Sequence, residues 1–429
     1  MIEQAVIIAG GKGTRLREVL GEKTPKCLIE INGKPLLLHQ IEQCEKAGIN
    51  EIVILAGHLS EEIKLYVKKI RKSKLKIDII DDKGRSGTGS SLLAALPFLK
   101  DTYFVVYGDI YFQVDLNKFS RAHFENGADI SILSHPNNHP NDSDIIEINN
   151  DGFVTRFFRP KSEYYDNRVN AAIYICKNST FESLTLKNEQ DLVKDIFNQL
   201  LKNGKKIFAY DSIEYAKDIG TPERYHSALH DIEKDLPSKR ASRHSKKCVF
   251  LDRDGVINKH VGFVRSPVDF ELIPGITEVI KTCNRLGHLC IVVTNQSVIA
   301  RGEATVSQLN LIHRKMQTLL GNHECYVDDI FYCPHHPDSG FEGEVPSLKV
   351  DCECRKPNAG MLLKAIKKYN IDPAKSILIG DTLRDLQAAK AANVTAVHFN
   401  DNGHGASFGD LNAKEIRHLN EALSIIEGL

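Results

Sequence analysis

The sequence has no excess charge of either sign. Its 56 Lys and Arg residues match its 56 Asp and Glu residues over 429 positions, so no global field draws the chain to nucleic acid or to an anionic membrane surface. Long hydrophobic runs are missing too, since none approaches the roughly 20 residues of a membrane span. We therefore expect small-molecule ligands that are held locally, with no nucleic-acid partner and no membrane partner.

Signals for export are also scarce. The first residues lack the basic segment and the long apolar stretch of a signal peptide. Seven of the ten cysteines stand singly, as in reduced intracellular proteins. Only Cys333, Cys352 and Cys354 are grouped. These absences predict a cytoplasmic protein.

The chain is long enough for more than one domain. Its composition, 42% hydrophobic and 26% charged, is that of a globular protein, and its length is about three times that of a typical domain. Residues 233–247 are polar and basic, and an apolar run follows them. A basic run also occurs in nucleic-acid contacts, but a solvated connector is the commoner reason for one. We predict domains 1–232 and 248–429, joined by a linker at 233–247.

Short apolar runs alternate with helix-like segments in both halves. Strands separated in this way need crossover helices, which favours mostly parallel sheets. The pattern predicts two α/β domains in series. The predicted strands are 5–9, 52–56, 77–80, 104–107 and 130–133 in the first half, and 249–251, 289–294, 376–379 and 395–398 in the second.

A glycine-rich turn follows the first strand. Gly10, Gly11 and Gly13 precede Thr14, and glycines at a strand's carboxyl end let backbone N–H groups approach phosphates closely. The spacing matches neither a P-loop nor Gly-x-Gly-x-x-Gly. Two cations, Arg15 and Lys26, follow at short distance in the sequence and suit a triphosphate. Ordinary surface charge is the alternative interpretation.

The order of these residues resembles the signature of the sugar-1-phosphate nucleotidylyltransferases. The match comprises Gly-x-Gly-Thr-Arg-Leu at 11–16, Thr-Pro-Lys at 24–26 and Ile-Asn-Gly-Lys-Pro-Leu at 31–36. The resemblance implies a Rossmann-like nucleotidyltransferase sheet in which Arg15 and Lys26 grip the triphosphate. It also implies that a turn lies against the base and ribose, and this turn contains Gly87, Thr88 and Gly89.

The same resemblance implies a magnesium site and a sugar pocket. Asp109 ends an apolar strand and Asp218 precedes Ile-Gly-Thr-Pro; both would bind Mg²⁺, although a strand-end Asp is also a common cap or turn former. Asn170 would line the sugar pocket, and either Arg159 or Lys161 would contact the sugar phosphate. Family members usually have glycine where this chain has alanine at 172.

The second half begins with two carboxylates at the end of a strand. Asp252 and Asp254 follow the apolar run 248–251, and this spacing lets one carboxylate attack while the other handles protons. Asp-x-Asp also occurs in calcium loops and by chance. The later motifs of this half therefore decide between these interpretations.

Three later motifs, in order, resemble those of the haloacid dehalogenase-type phosphatases. They are Thr-Asn at 294–295, Arg-Lys-Pro at 355–357 and Gly-Asp at 380–381. The resemblance implies a second Rossmann-like domain, with Asp252 as nucleophile and Asp254 as general acid and base. Thr294 and Lys356 would hold the phosphoryl group. Mg²⁺ would be bound by Asp252, Asp381 and the carbonyl of Asp254, with Asp385 in support.

A cysteine-histidine group lies between the second and third motifs. Cys333, His335, Cys352 and Cys354 offer three thiols and an imidazole, the donor set of a closed tetrahedral zinc site. His336 is an alternative to His335. The group adjoins Arg355, so we interpret it as a structural zinc loop that directs substrate-binding residues.

This loop is similar to that of the D-glycero-D-manno-heptose 1,7-bisphosphate phosphatases and the related histidinol phosphatases. The resemblance implies that Asn295, Arg301 and Arg355 bind substrate, the two arginines at its distal phosphate. The first half is similar to the D-glycero-α-D-manno-heptose 1-phosphate guanylyltransferases. Sugar nucleotidylyltransferases often associate through this domain, which implies a homo-oligomer.

A bisphosphate phosphatase makes a sugar 1-phosphate, and a nucleotidylyltransferase consumes one. The joined halves therefore predict a bifunctional enzyme of nucleotide-activated heptose synthesis that uses GTP. One alternative joins a transferase for another sugar 1-phosphate to a histidinol-phosphatase-like domain. A sensor without turnover and a zinc-bearing nucleic-acid binder are alternatives of another class; the intact acidic motifs argue against the first and the balanced charge against the second.

Overall fold

The structure is a computed structural model and describes residues 2–70, 75–82, 84–161, 163–401 and 413–429. It divides into two compact units. The first comprises Met1–His135, Asp144–Arg159 and Arg168–Ala241, and the second comprises Pro136–Ser143, Pro160–Asn167 and Ser242–Leu429.

The first unit is built on a nine-stranded sheet with the strand order β10-β9-β11-β6-β1-β4-β5, extended by β8 beside β11 and β12 beside β8. The strands of this unit are β1 (Gln4–Ile8), β2 (Glu30–Ile31), β3 (Lys34–Pro35), β4 (Glu51–Ala56), β5 (Lys76–Asp81), β6 (Thr102–Tyr107), β7 (Ile110–Gln113), β8 (Ile130–His135), β9 (Ile145–Ile148), β10 (Val154–Phe158), β11 (Val169–Lys177), β12 (Ile207–Asp211) and β13 (Tyr215–Asp218). Two small ribbons, β2-β3 and β7-β13, lie outside this sheet.

The predicted parallel arrangement is confirmed for β1, β4, β5 and β6, which pair side by side in parallel. It does not extend to β8, because the long strand β11 lies between β6 and β8 and is antiparallel to both. Apolar clusters cover both faces of the sheet, which explains why the central strands read as continuous apolar runs. The strand order reverses between β1 and β6, and ligands bind at the carboxyl ends of strands at such a point.

The helices of the first unit include crossovers that connect the parallel strands. They are α1 (Arg17–Leu20), α2 (Leu36–Lys46), α3 (Ser60–Ile70), α4 (Thr88–Ala95), α5 (Leu116–Glu125), α6 (Asn198–Lys202), α7 (Pro222–Glu233) and α8 (Leu236–Arg240). Helix α8 lies within the predicted linker, and its Leu236 and Arg240 are buried. The segment 233–247 therefore contains packed residues as well as solvated ones.

The second unit contains a six-stranded, wholly parallel sheet with the order β16-β15-β14-β17-β18-β19. Its elements are β14 (Cys248–Leu251), β15 (Leu289–Asn295), β16 (Asp329–Cys333), β17 (Ile377–Gly380), β18 (Thr395–Phe399), β19 (Lys414–Ile416), α9 (Ile276–Leu286), α10 (Val306–Asn322), α11 (Gly360–Tyr369), α12 (Leu383–Ala391) and α13 (Ala422–Glu427). This is the doubly wound order, so the predicted Rossmann-like class is confirmed. The strand order reverses between β14 and β17.

Two short segments from the first half of the sequence belong to the second unit. Residues of Pro160–Asn167 contact helix α10: the backbone N–H of Tyr165 donates to Thr318 Oγ1 at 3.1 Å, and the Asp166 carboxylate pairs with Arg314 at 3.0 Å. Tyr165 is buried. The second unit is thus discontinuous in sequence.

Among the residues that the structure describes, no helix combines the length and the apolar character needed to cross a membrane.

Candidate active sites

The acidic motif residues of the second unit meet at the point where its strand order reverses. Asp252 directly follows β14 and Asp381 directly follows β17, and these two strands are paired in parallel. Thr294 lies at the end of β15, on the other side of β14. Parallel strands present their carboxyl ends at one edge, so the sheet brings together residues that are far apart in sequence.

A buried lysine joins these carboxylates. Lys356 is only 2% exposed, and its Nζ lies 2.9 Å from Asp252 Oδ1 and 2.5 Å from Asp385 Oδ1. The same ammonium donates to the Val293 carbonyl at 2.8 Å. Burial alone would lower the pKa of Lys356, but the two carboxylates raise it above its ordinary value. Lys356 is therefore a fixed cation beside the predicted nucleophile.

Asn295 and Asp385 hold this lysine in place. The Asn295 side chain bonds to both backbone polar groups of Lys356, at 3.0 Å each. Asp385 is wholly buried and also accepts from the backbone N–H of Thr382, the residue that caps α12. Asn295, predicted to bind substrate, thus lines the cavity while its amide group positions the lysine.

Three carboxylates surround the single ammonium group of Lys356. Oxygens of Asp252, Asp381 and Asp385 lie within 4.8 Å of one another, and Asp381 Oδ1 is buried without a hydrogen-bond partner among the described residues. Burial raises the pKa of Asp252 to about 7, and the other two carboxylates add to the rise against the effect of Lys356. Burial and Asp385 likewise raise the pKa of Asp381 to about 7. Hard oxygen ligands that repel one another in this way fit a Mg²⁺ ion.

The cavity around these residues has a volume of about 270 Å³. One wall is cationic: Arg301 lies between the rings of Phe263 and Phe341, its guanidinium carbon 4.6 and 4.4 Å from their centroids. Arg301 Nε and the neighbouring His336 Nδ1 are buried, and neither has a hydrogen-bond partner in the described part of the chain. Arg355 completes this wall. The arrangement suits an anionic group at a distance from the nucleophile.

The four predicted zinc ligands form one compact cluster. Sulfur-to-sulfur distances among Cys333, Cys352 and Cys354 are 3.2 to 3.5 Å, and His335 Nδ1 lies 3.4 Å from Cys354 Sγ and 3.6 Å from Cys333 Sγ. A tetrahedral zinc with bonds of about 2.3 Å would place its sulfurs about 3.8 Å apart. His336 lies outside the cluster and faces the cavity instead. The donor set and its dimensions fit zinc with His335 as the fourth ligand.

In the first unit, both predicted triphosphate-binding cations and one of the two predicted metal-binding carboxylates, Asp218, lie close to Gly220. A methyl group on Gly220 would lie 2.7 Å from Asp218 Oδ1, 2.8 Å from Lys26 Nζ and 3.6 Å from Arg15 Nη2. Lys26 also forms an ion pair with Asp109, which follows β6. Both carboxylates belong to this cluster of opposite charges, and oxygens of this kind suit Mg²⁺. The glycine turn at 10–13 follows β1, the parallel neighbour of β6.

Gln40 on α2 is a residue that the sequence analysis missed. It is buried, and its Nε2 donates to the carbonyls of Tyr107 and Ile110 at 2.8 Å each. These carbonyls flank Gly108 and Asp109, so Gln40 fixes the turn that presents Asp109. The available signal was a polar residue among the apolar positions of the segment that forms α2.

The glycines of the turn at 87–89 are required because the Gln190 backbone lies too close for a side chain. Gly87 has a φ of +92°, and a methyl group on it would lie 2.3 Å from the Gln190 carbonyl oxygen. Thr88 Oγ1 accepts from the Tyr107 hydroxyl and from the backbone N–H of Leu192, each at 3.0 Å. These contacts fix the shape of the turn that was predicted to lie against a nucleotide.

The predicted sugar-pocket residues differ in their surroundings. Asn170 on β11 donates to the Tyr174 hydroxyl at 2.9 Å and accepts from the backbone N–H of Ala172 at 3.0 Å. Arg159 lies in the first unit, with its Nε 2.9 Å from Asp144 Oδ1, whereas Lys161 is exposed and belongs to a segment of the second unit.

Ala172 has a φ of +55°, a left-handed conformation that explains the glycine of related sequences. We predict that Ala172→Gly raises the free energy of unfolding of the first unit by about 1 kcal/mol, because glycine has no Cβ to strain this conformation. The neighbouring Ala171→Gly is the matched control and should lower it by about 0.5 to 1 kcal/mol. Urea denaturation measures both changes. Equal destabilisation by the two substitutions would contradict the prediction.

Two family models match the chain, one mainly in each half, and their matched ranges overlap at residues 184–235. The family model described as nucleotidyl transferase matches residues 4–235, more than half of the chain. The model described as haloacid dehalogenase-like hydrolase matches residues 184–393. The chain is 43% identical to the D-glycero-beta-D-manno-heptose-1,7-bisphosphate 7-phosphatase of Escherichia coli (strain K12) over 150 residues, which are 35% of this chain and 76% of that protein.

Two solved structures resemble separate parts of the chain. HddC from Yersinia pseudotuberculosis complexed with GMP-PN is 26% identical, with a TM-score of 0.48, over 54% of this chain and 100% of that one. The D,D-heptose 1.7-bisphosphate phosphatase from B. bronchiseptica complexed with magnesium and phosphate is 32% identical, with a TM-score of 0.36, over 42% of this chain and 98% of that one.

The motif residues, their placement at two strand-order reversals, the two family-model matches and the 43% identity to the Escherichia coli phosphatase lead to one assignment. The chain is a bifunctional enzyme that belongs to the nucleotidyl transferase family through its first half and to the haloacid dehalogenase-like heptose bisphosphate 7-phosphatases through its second.

Proposed function

We propose that this enzyme removes the 7-phosphate of D-glycero-D-manno-heptose 1,7-bisphosphate and then transfers a nucleotidyl group, GMP from GTP, to the resulting heptose 1-phosphate. The observation that carries the proposal is the pairing of Asp252 with Lys356 in a cavity that has a separate cationic wall at Arg301. The 43% identity to a named 7-phosphatase supports the sugar. The base rests on the resemblance of the first half to guanylyltransferases.

In the phosphatase reaction, Asp252 attacks the phosphorus in line and the sugar oxygen leaves. Lys356 and Thr294 hold the phosphoryl oxygens, while Asp254 gives a proton to the leaving oxygen and later takes one from the attacking water. Mg²⁺ bound by Asp252, Asp381 and the Asp254 carbonyl would offset the repulsion between two anionic reactants. The burial of Lys356 keeps its charge close to the transferring group.

The cationic wall is proposed to bind the distal phosphate. We predict that Arg301→Met raises KM for the bisphosphate on the order of 10-fold to 100-fold, because one charged hydrogen-bond donor is lost. Hydrolysis of p-nitrophenyl phosphate, which has no second phosphate, should change by less than about threefold. Arg265→Met is the matched control, since this exposed arginine also lies near Phe263. Equal losses on both substrates would contradict the role of Arg301.

In the transferase reaction, the phosphate oxygen of the sugar attacks the α-phosphorus and pyrophosphate leaves. Arg15 and Lys26 are proposed to hold the triphosphate over the glycine turn at 10–13, where backbone N–H groups are accessible. Asp109 and Asp218 would bind the Mg²⁺ that neutralises developing charge. Three of these side chains lie close to Gly220, and the fourth, Asp109, pairs with Lys26, which supports this assignment.

We place both reactions in the cytoplasm, where nucleoside triphosphates and reduced thiols are present. The reduced state suits the Cys333 cluster, for which we propose a structural Zn²⁺. The balanced charge of the chain supports small-molecule substrates over nucleic acid or membrane partners.

The test is mass spectrometry of the purified chain with Mg²⁺, the heptose 1,7-bisphosphate and an equal mixture of four ribonucleoside triphosphates plus dTTP. We expect GDP-heptose, free phosphate and pyrophosphate. A different nucleotide sugar would overturn the guanine assignment alone. Heptose 1-phosphate without any nucleotide sugar would overturn the transferase substrate, and unchanged bisphosphate would overturn the heptose assignment for both halves.

A further inference from the structure

The side chain of Asp254 is held by donors on both of its carboxylate oxygens. Arg253 Nη2 lies 2.9 Å from each oxygen. Asn258 Nδ2 donates to Oδ1 at 3.1 Å, and Gln296 Nε2 donates to Oδ2 at 2.9 Å. A carboxyl group with donors on both oxygens has its two side-chain torsions fixed. Its direction in the cavity is therefore set by these neighbours.

Arg253 is itself fixed from behind. It is wholly buried, the largest side chain of the described residues to be so. Its Nη2 donates to Gln296 Oε1 at 3.0 Å, and its Nη1 lies 3.3 Å from Nε2 of the buried His313. Burial, aided by the positive charge of Arg253, lowers the pKa of His313 to about 3, so the ring is neutral and Nε2 accepts the hydrogen bond.

A buried arginine is costly unless its charge and its donors are paired. Here the pairing is nearly complete, and its carboxylate partner lines the same cavity as Asp252. Arg253 and His313 are not among the described residues that line that cavity. The printed contacts of the Arg253 side chain are with Asp254, Gln296 and His313. An effect of this side chain on the reaction therefore passes through Asp254, or through Gln296 to Thr294, and only the first route depends on the leaving group's need for a proton.

We propose that Arg253, backed by His313, is a positioning residue that directs the Asp254 carboxyl group to the leaving-group oxygen. In the first step the bond from Asp252 to phosphorus forms, the bond from phosphorus to the leaving oxygen breaks, and a proton that Asp254 takes from the phosphate monoester monoanion moves to that oxygen. In the second step Asp254 takes a proton from water, whose oxygen displaces Asp252 and releases phosphate, and Asp254 then gives this proton to solvent. The proposal goes beyond the sugar assignment and needs only phosphomonoester cleavage.

Leaving groups of different basicity test this role in single turnovers, in which only cleavage of the ester bond is observed. p-Nitrophenolate departs without a proton, whereas the more basic phenolate needs one. We expect Arg253→Met to slow cleavage of phenyl phosphate on the order of 100-fold. Cleavage of p-nitrophenyl phosphate should slow by no more than about threefold. Arg253→Lys keeps a cation and should recover part of the loss.

Controls separate this role from a purely structural one. Arg285→Met removes an exposed arginine of the same unit and should leave both rates unchanged. If Arg253→Met does not fold, His313→Leu and His313→Gln replace it, because glutamine keeps an acceptor for Arg253 and leucine does not. The proposal would be overturned if Arg253→Met, or His313→Leu in its place, slowed cleavage of both esters equally or slowed neither.

Discussion

Replacing Asp252 with asparagine lowers phosphate release on the order of 10⁴-fold or more, because an amide does not replace a carboxylate as a nucleophile. The substitution preserves side-chain size, and Lys356 keeps its ion pair with Asp385. We therefore expect the second unit to stay folded. Phosphate release at saturating substrate tests the loss of activity. Thermal unfolding, followed in parallel, tests whether the second unit stays folded.

A matched variant of the same unit is Asp269→Asn, which changes an exposed carboxylate and should retain full activity. Nucleotidyl transfer to added heptose 1-phosphate provides a second internal reference, because the residues proposed to bind its triphosphate and Mg²⁺ lie in the first unit. Phosphate release by Asp252→Asn within about tenfold of the unchanged enzyme would remove Asp252 from the role of nucleophile.

Replacing Cys354 with serine is expected to release the metal of the cysteine cluster and to destabilise the second unit. Structural zinc contributes directly to folding free energy, so a loss on the order of 5 kcal/mol and a fall in Tm of roughly 10 to 20 °C are expected. Arg355 donates to the His335 carbonyl at 3.0 Å and adjoins both Cys354 and Lys356. Loss of the cluster should therefore also raise KM.

Elemental analysis of the purified chain checks this result, with about one zinc per chain expected before the substitution and almost none after it. Cys325→Ser alters a buried thiol outside the cluster and should keep the metal. The two adjacent histidines give a sharper comparison: His335→Asn should lose zinc and His336→Asn should retain it. The opposite result would exchange the two histidines in the assignment.

The sequence was sufficient for the parallel parts of both sheets, because buried parallel strands appear as apolar runs between helices. It was insufficient for β11, whose antiparallel placement between β6 and β8 depends on long-range pairing rather than on local pattern. A strand's neighbours are set by the whole sheet. Periodicity identifies the strand and not its partner.

The motifs likewise located the charged groups of the sites but not the residues that orient them. Arg253 stands between two aspartates in sequence, where it has no pattern of its own, and its contact with His313 spans 60 positions. Gln40 reaches carbonyls 67 and 70 positions away. Such contacts join residues that are distant in sequence, so the spacing of residues along the chain does not predict them.

The reversal of strand order in the second unit also bears on how this active site comes into being. Asp252 follows the first strand of its sheet and Asp381 the fourth, roughly 130 residues later, and contacts of such long range slow the folding of a domain. Lys356 reaches its place only when its backbone pairs with Asn295, 61 positions earlier. The mutual repulsion of the acidic groups arises where β17 pairs with β14. We therefore expect phosphatase activity to appear only after these two strands have paired.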